Sequence, residues 1–207
     1  MPYLDQSIKK YLADLAARLP APGGGSASAL VGAEGVALLE MVLNFTVDKK
    51  GYEEFWDEGK KILKKLEEIR EKMSSLIDED VRAYGELDQV FKMPREKEEE
   101  KERRRSAMEI ALKKAEAIPE EICSLTLEAA RLSPVILEKG NINLASDVGV
   151  AITLLVAAFK GGRLNVEINL KSIKDLEFCK KVREKLDAQE REILKIAECQ
   201  KKLPHNR

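Results

Sequence analysis

The 207-residue chain contains a single histidine, and this shortage restricts its chemistry more than any other feature of its composition. That residue, His205, is close to the C-terminus. Histidine supplies the base of Ser-His-Asp triads and of Cys-His pairs, and it is the commonest nitrogen ligand of zinc. We therefore expect neither kind of site. Acid–base chemistry in this protein must use carboxylates, lysines, tyrosines or backbone groups.

Cysteine is also scarce. The three cysteines, Cys123, Cys179 and Cys199, are widely spaced and match no metal-binding motif. Their odd number indicates no disulfide framework, so we expect all three to stay reduced in the cytosol. The sequence therefore predicts no bound metal.

The chain has no charge excess and no long apolar run. Lysine and arginine number 36 against 37 acidic residues, whereas a nucleic-acid-binding protein usually has a basic excess. The longest uncharged apolar stretch, 148–159, has 12 residues, fewer than the roughly 20 needed to span a bilayer. The N-terminus carries Asp5 and does not have the pattern of a signal peptide. We expect a cytoplasmic protein that binds neither nucleic acid nor membrane.

Almost all of the sequence has the periodicity of helices, so we predict an all-α, single-domain helical bundle over residues 1–207. Residues 164–170 alternate apolar and polar like a strand, but they have no partner strand, and we expect a short helix or an extended segment. The predicted helices cover 3–19, 26–49, 52–91, 96–117, 122–132, 143–159 and 175–199, with proline at several of the boundaries.

Two of these helices, 26–49 and 143–159, are apolar on nearly all sides and are predicted to be buried at the centre of the bundle. A monomer of this size cannot easily bury both. We therefore expect a homodimer or a larger homo-oligomer.

Three consecutive glycines, Gly23, Gly24 and Gly25, precede Ser26 at the start of the first apolar helix. They suit a flexible linker in which Ser26 caps the helix. They equally suit a turn whose backbone approaches a ligand closely, since the first N–H groups of a helix favour an anion or a carbonyl oxygen. The residues themselves leave both interpretations open.

Asp80 interrupts the apolar stripe of the 52–91 helix. A carboxylate on a buried face must be ion-paired, hydrogen-bonded or protonated, and burial raises its pKa towards the range useful for proton transfer. A structural ion pair is the alternative to an acid–base role. The neighbouring Asp78 and Glu79 are predicted to be solvated. Lys49 and Lys50 are predicted to end the first buried helix, where the helix dipole favours a cation.

A second polar cluster opens the other apolar helix. Asn143, Ser146 and Asp147 are three and four residues apart and share one helix face. Helix capping explains one or two of them, but not a polar face that continues to Asp147. Asn165 and Asn169 add two amides, which offer the donors and acceptors that an uncharged heterocycle requires.

Taken together, these motifs resemble the cyclodeaminase domain of formiminotransferase-cyclodeaminase, a family that includes methenyltetrahydrofolate cyclohydrolases. The resemblance extends over the whole chain. The motifs are Pro22-Gly23-Gly24-Gly25-Ser26, Met41-Val42 with Thr46 and Lys49-Lys50-x-Tyr52, Asp80-x-x-Ala83-Tyr84, Asn143-x-x-Ser146-Asp147-x-Gly149-Val150-Ala151, and Asn165-Val166-x-Ile168-Asn169.

The resemblance implies a dimerising helical bundle with its folate site in a cleft at the dimer interface. It also implies that Asp80 is the catalytic aspartate and that no cofactor is needed beyond the tetrahydrofolate substrate, which can carry a polyglutamate tail. Lys49 is expected to assist the proton transfers or to bind a carboxylate of the substrate. The residues expected to bind that substrate are Gly23, Gly24, Gly25, Ser26, Tyr84, Asn143, Ser146, Asp147, Asn165 and Asn169.

The expected reaction converts 5-formimidoyltetrahydrofolate to 5,10-methenyltetrahydrofolate and ammonia, in a chain without a formiminotransferase domain. Hydrolysis of 5,10-methenyltetrahydrofolate by the same pocket is the nearest alternative, and the residues do not separate the two. A non-catalytic helical scaffold or a folate-binding protein is an alternative of another class. This non-catalytic alternative gives no shared role to Asp80, Asn143 and the glycine turn.

Overall fold

A computed structural model describes residues 1–200, and every regular element within that range is helical. This confirms the all-α prediction, while His205 lies outside the described residues. Short 3-10 turns occupy Tyr3–Asp5, Glu53–Phe55 and Ile142–Leu144. The helices are α1 (Ile8–Leu15), α2 (Gly24–Asn44), α3 (Trp56–Phe91), α4 (Glu98–Lys139), α5 (Ala145–Leu170) and α6 (Leu176–Gln200).

The first predicted helix is shorter than expected. The 3-10 turn at Tyr3–Asp5 is separate from α1, which begins after Ser7. The Ser7 hydroxyl accepts a hydrogen bond from the Lys10 amide at 3.2 Å, so it caps the helix. α1 ends at Leu15 rather than at Leu19.

Two prolines that were expected to break helices lie inside α4. Pro119 is buried, and its carbonyl oxygen lies directly against Gly162 of α5. A proline inside a helix removes one backbone hydrogen bond and crowds the preceding turn. Helix α4 nevertheless continues because it packs along α5 and α3, and this packing outweighs the local cost.

The strand-like segment 164–170 is the last part of α5. Leu164 and Ile168 are exposed, whereas Val166 and Leu170 are buried. Residues four apart lie on the same face of a helix, so Leu164 and Ile168 share one face and Val166 and Leu170 share another. Because the two pairs are offset by two residues, the sequence alternates as a strand does. One pair faces the core and the other faces outward.

The centre of the bundle is the antiparallel pair α2 and α5, with α4 packed behind both. A side-chain carbon on Gly35 would lie 3.0 Å from the carbonyl oxygen of Ala151 and 3.0 Å from Leu155. Glycine at this position therefore allows the two backbones to approach closely. The predicted buried core helices are these two, with α5 running to Leu170.

The side of α5 that faces away from α4 is apolar and uncovered. Val150, Leu164 and Ile168 are 50%, 68% and 63% exposed. By length and hydropathy alone, α2 and the segment Ile142–Leu170 could each cross a membrane, a property that they share with core helices of globular proteins.

Asp78 is buried rather than solvated, contrary to the prediction. It accepts hydrogen bonds from the backbone amides of Tyr3 and Leu4, at 2.7 and 3.5 Å. No periodicity connects residues this far apart in the sequence, so the contact had no signal in the sequence. Asp78 attaches the N-terminal segment to α3.

Glu116 on α4 is a second buried carboxyl group, with 1% of its surface exposed. Burial and the neighbouring Glu120 raise its pKa from 4.5 to about 7. Glu120 is itself bonded to Lys185, with 2.6 Å between Oε1 and Nζ. Within the described part of the chain, Glu116 Oε1 has no hydrogen-bond partner.

We predict that Glu116→Gln stabilises the protein at pH 8 but not at pH 4. In the unfolded chain this carboxyl ionises above its ordinary pKa of 4.5, whereas the fold holds the proton until about pH 7. The cost to stability therefore accumulates as pH rises between these values, on the order of 2–3 kcal/mol. Urea unfolding across this pH range measures it. The exposed replacement Glu99→Gln is the control, and equal pH dependence in both variants would contradict the prediction.

Candidate functional site

A pocket of about 350 Å³ lies where the N-terminus of α2 meets the middle of α3 and the C-terminal half of α5. Its wall combines one carboxyl group, two amides and the glycine turn with apolar side chains. The lining residues are Pro20, Ala21, Gly23, Gly24, Gly25, Asp80, Ala83, Tyr84, Leu87, Phe91, Leu112, Ala115, Asn165, Ile168, Asn169 and Ser172. Seven of the twelve residues predicted to form the site therefore line one pocket, and Ser26 lies directly beside it.

Asp80 has no cationic partner among the described residues, so the alternative of a structural ion pair is wrong. Its Oδ2 accepts a hydrogen bond from the backbone amide of Ser26, at 2.9 Å. Its other oxygen, Oδ1, lies against Gly25, where a side-chain carbon would come within 2.1 Å of it. The carboxyl group therefore packs directly on the first turn of α2.

Burial raises the pKa of Asp80 above its ordinary value, and the hydrogen bond from the Ser26 amide partly opposes that rise. The protonated form of Asp80 is thus favoured by burial alone, and no neighbouring carboxylate in the described part of the chain adds to the rise in its pKa. A buried carboxyl group with a raised pKa is a candidate for proton transfer.

The glycine turn lines this pocket, and two of its three glycines, Gly24 and Gly25, belong to α2. Gly23 precedes α2 in an extended conformation and is its N-cap, and Ser26 is already inside the helix. Ser26 therefore does not cap α2 as predicted. Its hydroxyl is 3.1 Å from the hydroxyl of Tyr11.

Asn165 lies over the glycine turn from α5. Its Nδ2 donates a hydrogen bond to the carbonyl oxygen of Gly161 at 2.8 Å, and it would be 3.3 Å from a side-chain carbon on Gly24. This bond orients the amide, and the Asn165 oxygen accepts no hydrogen bond from any residue within 1–200. Asn169 lies one turn further along α5, and Tyr84 one turn beyond Asp80 on α3. Tyr84 is 43% exposed.

The remaining predicted site residues lie at the opposite end of the bundle. Asp147 and Asn165 are 18 positions apart on α5, a separation of about 27 Å along the helix axis. Asn143, Ser146 and Asp147 therefore do not share a pocket with the glycine turn within one chain. The expectation that both polar helix ends face a single pocket is wrong for the isolated chain, because α5 is one uninterrupted helix between them.

Lys49 also belongs to this second end. Helix α2 ends at Asn44, so Lys49 and Lys50 lie in the following turn and not at the helix terminus. The Lys49 ammonium is 5.3 Å from the centre of the Tyr52 ring. The Tyr52 hydroxyl accepts a hydrogen bond from the Ile142 amide at 3.3 Å, and this bond ties the turn to the start of the α5 segment.

Sequence reasoning missed two groups near Asp80. One is the apolar wall of the pocket supplied by α4, Leu112 and Ala115, which looks like any other core pattern. The other is Tyr11, whose hydroxyl contacts Ser26 from a different helix. Among the described residues, no three His, Cys, Asp or Glu side chains form a group that could hold a metal ion. The expectation of a metal-free site stays a prediction.

Comparison with known proteins connects this geometry to a family. The model of the family described as formiminotransferase-cyclodeaminase matches residues 7–188. A methenyltetrahydrofolate cyclohydrolase from Methylorubrum extorquens is 37% identical over 174 residues, which cover 84% of each chain. The formimidoyltransferase-cyclodeaminase of Rattus norvegicus is 30% identical over 89% of this chain, which corresponds to 34% of the rat protein.

A solved structure agrees in fold as well as in sequence. The crystal structure of a formiminotetrahydrofolate cyclodeaminase from Thermotoga maritima has a TM-score of 0.86 and 36% identity, with 96% of each chain covered. The chain therefore belongs to the formiminotransferase-cyclodeaminase family.

Proposed function

We propose that this protein is a folate cyclodeaminase that converts 5-formimidoyltetrahydrofolate to 5,10-methenyltetrahydrofolate and ammonia. The observation that carries the proposal is Asp80, a half-buried carboxyl group that has no ion-pair partner within residues 1–200 and that opens on a pocket of mixed polar and apolar lining. Membership of a folate-processing family supports the substrate class.

Asp80 is the proton carrier in the proposed reaction. N10 of the substrate attacks the formimidoyl carbon and gives up its proton to the carboxylate, which yields a tetrahedral carbon between N5 and N10. The same carboxyl group then returns a proton to the amino group, so that the carbon–nitrogen bond breaks and ammonia leaves. The raised pKa of Asp80 favours both transfers near neutral pH.

The rest of the pocket would bind and orient the folate. Asn165 and Asn169 offer donors and acceptors to the polar edge of a pterin, and Leu112 and Ile168 offer apolar contact to its ring faces. The glycine turn lets the backbone of α2 approach the reacting carbon closely.

Methenyltetrahydrofolate cyclohydrolase is a second candidate, favoured by the relative from Methylorubrum extorquens that carries this name. In that reaction water is the nucleophile at the same bridging carbon, and Asp80 would accept its proton. A scaffold without catalysis is the least favoured alternative, because it gives no reason for a desolvated, unpaired Asp80 beside the glycine turn. The expected cytoplasmic location stays a prediction.

A polyglutamate tail on the substrate is a further part of the proposal. The guanidinium of Arg104 reaches the carbonyl oxygen of Phe91 at 3.5 Å, and Phe91 lines the pocket. A cation of the segment 96–105 therefore lies beside a residue of the pocket wall, which supports contact with an anionic tail.

The first test supplies the purified protein with 5-formimidoyltetrahydrofolate and, separately, with 5,10-methenyltetrahydrofolate, and follows the methenyl absorbance. We expect the first substrate to be turned over, with Asp80→Asn reducing kcat by about 10²-fold or more because the amide cannot exchange a proton near neutrality. Turnover of only the second substrate would identify the cyclohydrolase. Retention of more than about a tenth of the activity in Asp80→Asn would make Asp80 structural.

Two glycine-to-alanine substitutions form a matched pair. Gly25→Ala would place a methyl group 2.1 Å from Asp80 Oδ1, so the carboxyl group must move and we expect kcat to fall by about 10²-fold. Gly85→Ala, on an exposed part of α3 outside the pocket lining, has nothing within 4 Å of the added carbon and should keep its activity. Steady-state kinetics on the two variants compare them. Equal activity in both would mean that the position of Asp80 is not critical.

The two separated polar ends support a dimeric site. The outer face of α5 is apolar and uncovered, with Val150 and Ile168 50% and 63% exposed, and Phe45, directly after the end of α2, is 59% exposed. A second copy packed on this surface about a two-fold axis perpendicular to the helices would place opposite ends together. Each pocket would then meet Lys49, Asn143, Ser146 and Asp147 of the other copy, which would unite the twelve predicted residues in each of two sites.

We predict complementation between two inactive variants, Asp80→Asn and Asn143→Ala. If each site combines the two ends from different copies, half of the dimers formed by equal mixing carry one intact site, and about a quarter of the wild-type activity returns. Mixing Asp80→Asn with Asn165→Ala should restore none, because both residues line the same pocket of one chain. Sedimentation measures assembly, and a monomer, an unimpaired Asn143→Ala, or no recovery would contradict the composite site.

A further inference from the structure

Tyr11 is the buried residue of α1, a helix that otherwise lies on the surface. Its side chain is 5% exposed, while Ile8 and Leu12 beside it are 73% and 53% exposed. The Tyr11 hydroxyl is hydrogen-bonded to the hydroxyl of Ser26, with 3.1 Å between the oxygens. Leaving two buried hydroxyl groups without this hydrogen bond would be costly, so the contact fixes both side chains.

Ser26 connects this contact to the active carboxyl group. It is completely buried, and it uses its two polar groups in different directions. The side-chain hydroxyl meets Tyr11, whereas the backbone amide donates to Asp80 Oδ2 at 2.9 Å. A contact from α1 therefore fixes the orientation of Ser26, and Ser26 in turn contacts Asp80.

The segment that carries Tyr11 is attached to the same helix as Asp80. The edge of one ring meets the face of the other between Tyr3 and Tyr11, with 5.2 Å between the ring centres and 88° between the planes. The amides of Tyr3 and Leu4 donate to Asp78, which is two residues before Asp80 on α3. A closed circuit of contacts thus runs from α3 through the N-terminal segment to α2 and back to α3.

We propose that Tyr11 is a positioning residue for Asp80, which acts through Ser26 by holding the first turn of α2 in the orientation that presents the Ser26 amide to the carboxylate. The proposal rests on the proposed function only in so far as Asp80 is the proton carrier. The contacts themselves are independent of which folate is the substrate.

Few ionisable groups face Asp80, so a change in this contact should be measurable. Tyr11 faces it from α1, and Tyr84 shares the pocket from its own helix. The residues that α2, α4 and α5 contribute to the pocket are glycines, Leu112, Ala115, Ile168 and two asparagines, none of which ionises. The Ser26 amide is the group that stabilises the charged form of Asp80.

The test compares Tyr11→Phe with Tyr3→Phe. Both remove one hydroxyl from the N-terminal segment and keep the ring, but the Tyr3 hydroxyl donates to Asp14, at 3.0 Å, rather than to Ser26. Loss of the Tyr11 hydroxyl should loosen the Ser26 amide and weaken its bond to Asp80. The pKa of Asp80 should then rise by about 0.5 to 1 unit in Tyr11→Phe and stay unchanged in Tyr3→Phe.

Two measurements follow this shift. Carbon-detected NMR titration of the Asp80 carboxyl group, assigned with Asp80→Asn, reports its pKa without any turnover. The acid limb of kcat/KM against pH should move upward by the same amount in Tyr11→Phe. A lower melting temperature with an unmoved Asp80 titration, or equal shifts in Tyr11→Phe and Tyr3→Phe, would overturn the proposal.

A double-mutant cycle with Ser26→Ala tests whether Tyr11 acts through the Ser26 hydroxyl. If Tyr11 acts through the Ser26 hydroxyl, the titration shift in Tyr11→Phe/Ser26→Ala should equal that of either single variant. Additive shifts would mean that Tyr11 acts by another route, against the proposal. Absence of turnover with both folates would overturn the proposed function, while the NMR titration would still decide the role of Tyr11.

Discussion

The contact between Asp80 and the first turn of α2 is the interaction on which the site depends. The N-terminus of a helix has backbone amides without partners inside the helix, and a carboxylate is a favourable partner for them. Here one amide, that of Ser26, bonds Oδ2 at 2.9 Å. Because Oδ1 lies against Gly25, the contact exists only if that residue has no side chain. The glycine turn is therefore a steric requirement of the carboxyl group.

The same contact sets the proton affinity of Asp80 through two opposing effects. Removal from water disfavours the carboxylate, while the Ser26 amide favours it, and the balance leaves the pKa above its ordinary value. A second carboxylate beside Asp80 would raise its pKa further, whereas a lysine there would lower it. Leu112 of α4 and Ala83 of α3 line the same pocket as Asp80 and carry no charge. The packing of α4 on α3 thus contributes directly to the chemistry of the pocket.

Most of the helices, and the interest of Asp80 and the glycine turn that line one pocket, could be predicted from the sequence because these features leave local signals. Periodic apolar positions indicate a helix, and Asp80 is conspicuous as a carboxylate on an apolar stripe. The continuation of α4 through Pro119 was not predictable, because it depends on packing against Gly162 of α5. The burial of Asp78 and the contact of Tyr11 with Ser26 join distant segments, so no periodicity reveals them.

The separation of the predicted residues into two ends could not be predicted either, because the order of motifs along the chain does not give their distances in space. The unbroken helix α5 fixes that distance and keeps the polar end at Asn143 away from the glycine turn in a single chain. The two candidate reactions share the bridging carbon and one proton carrier, so Asp80 cannot distinguish a nitrogen from an oxygen on that carbon. Discrimination would therefore have to come from polar groups that contact this atom. Asn165, Asn169, Tyr84 and Ser172 line the pocket, and a dimer would add the end that carries Asn143.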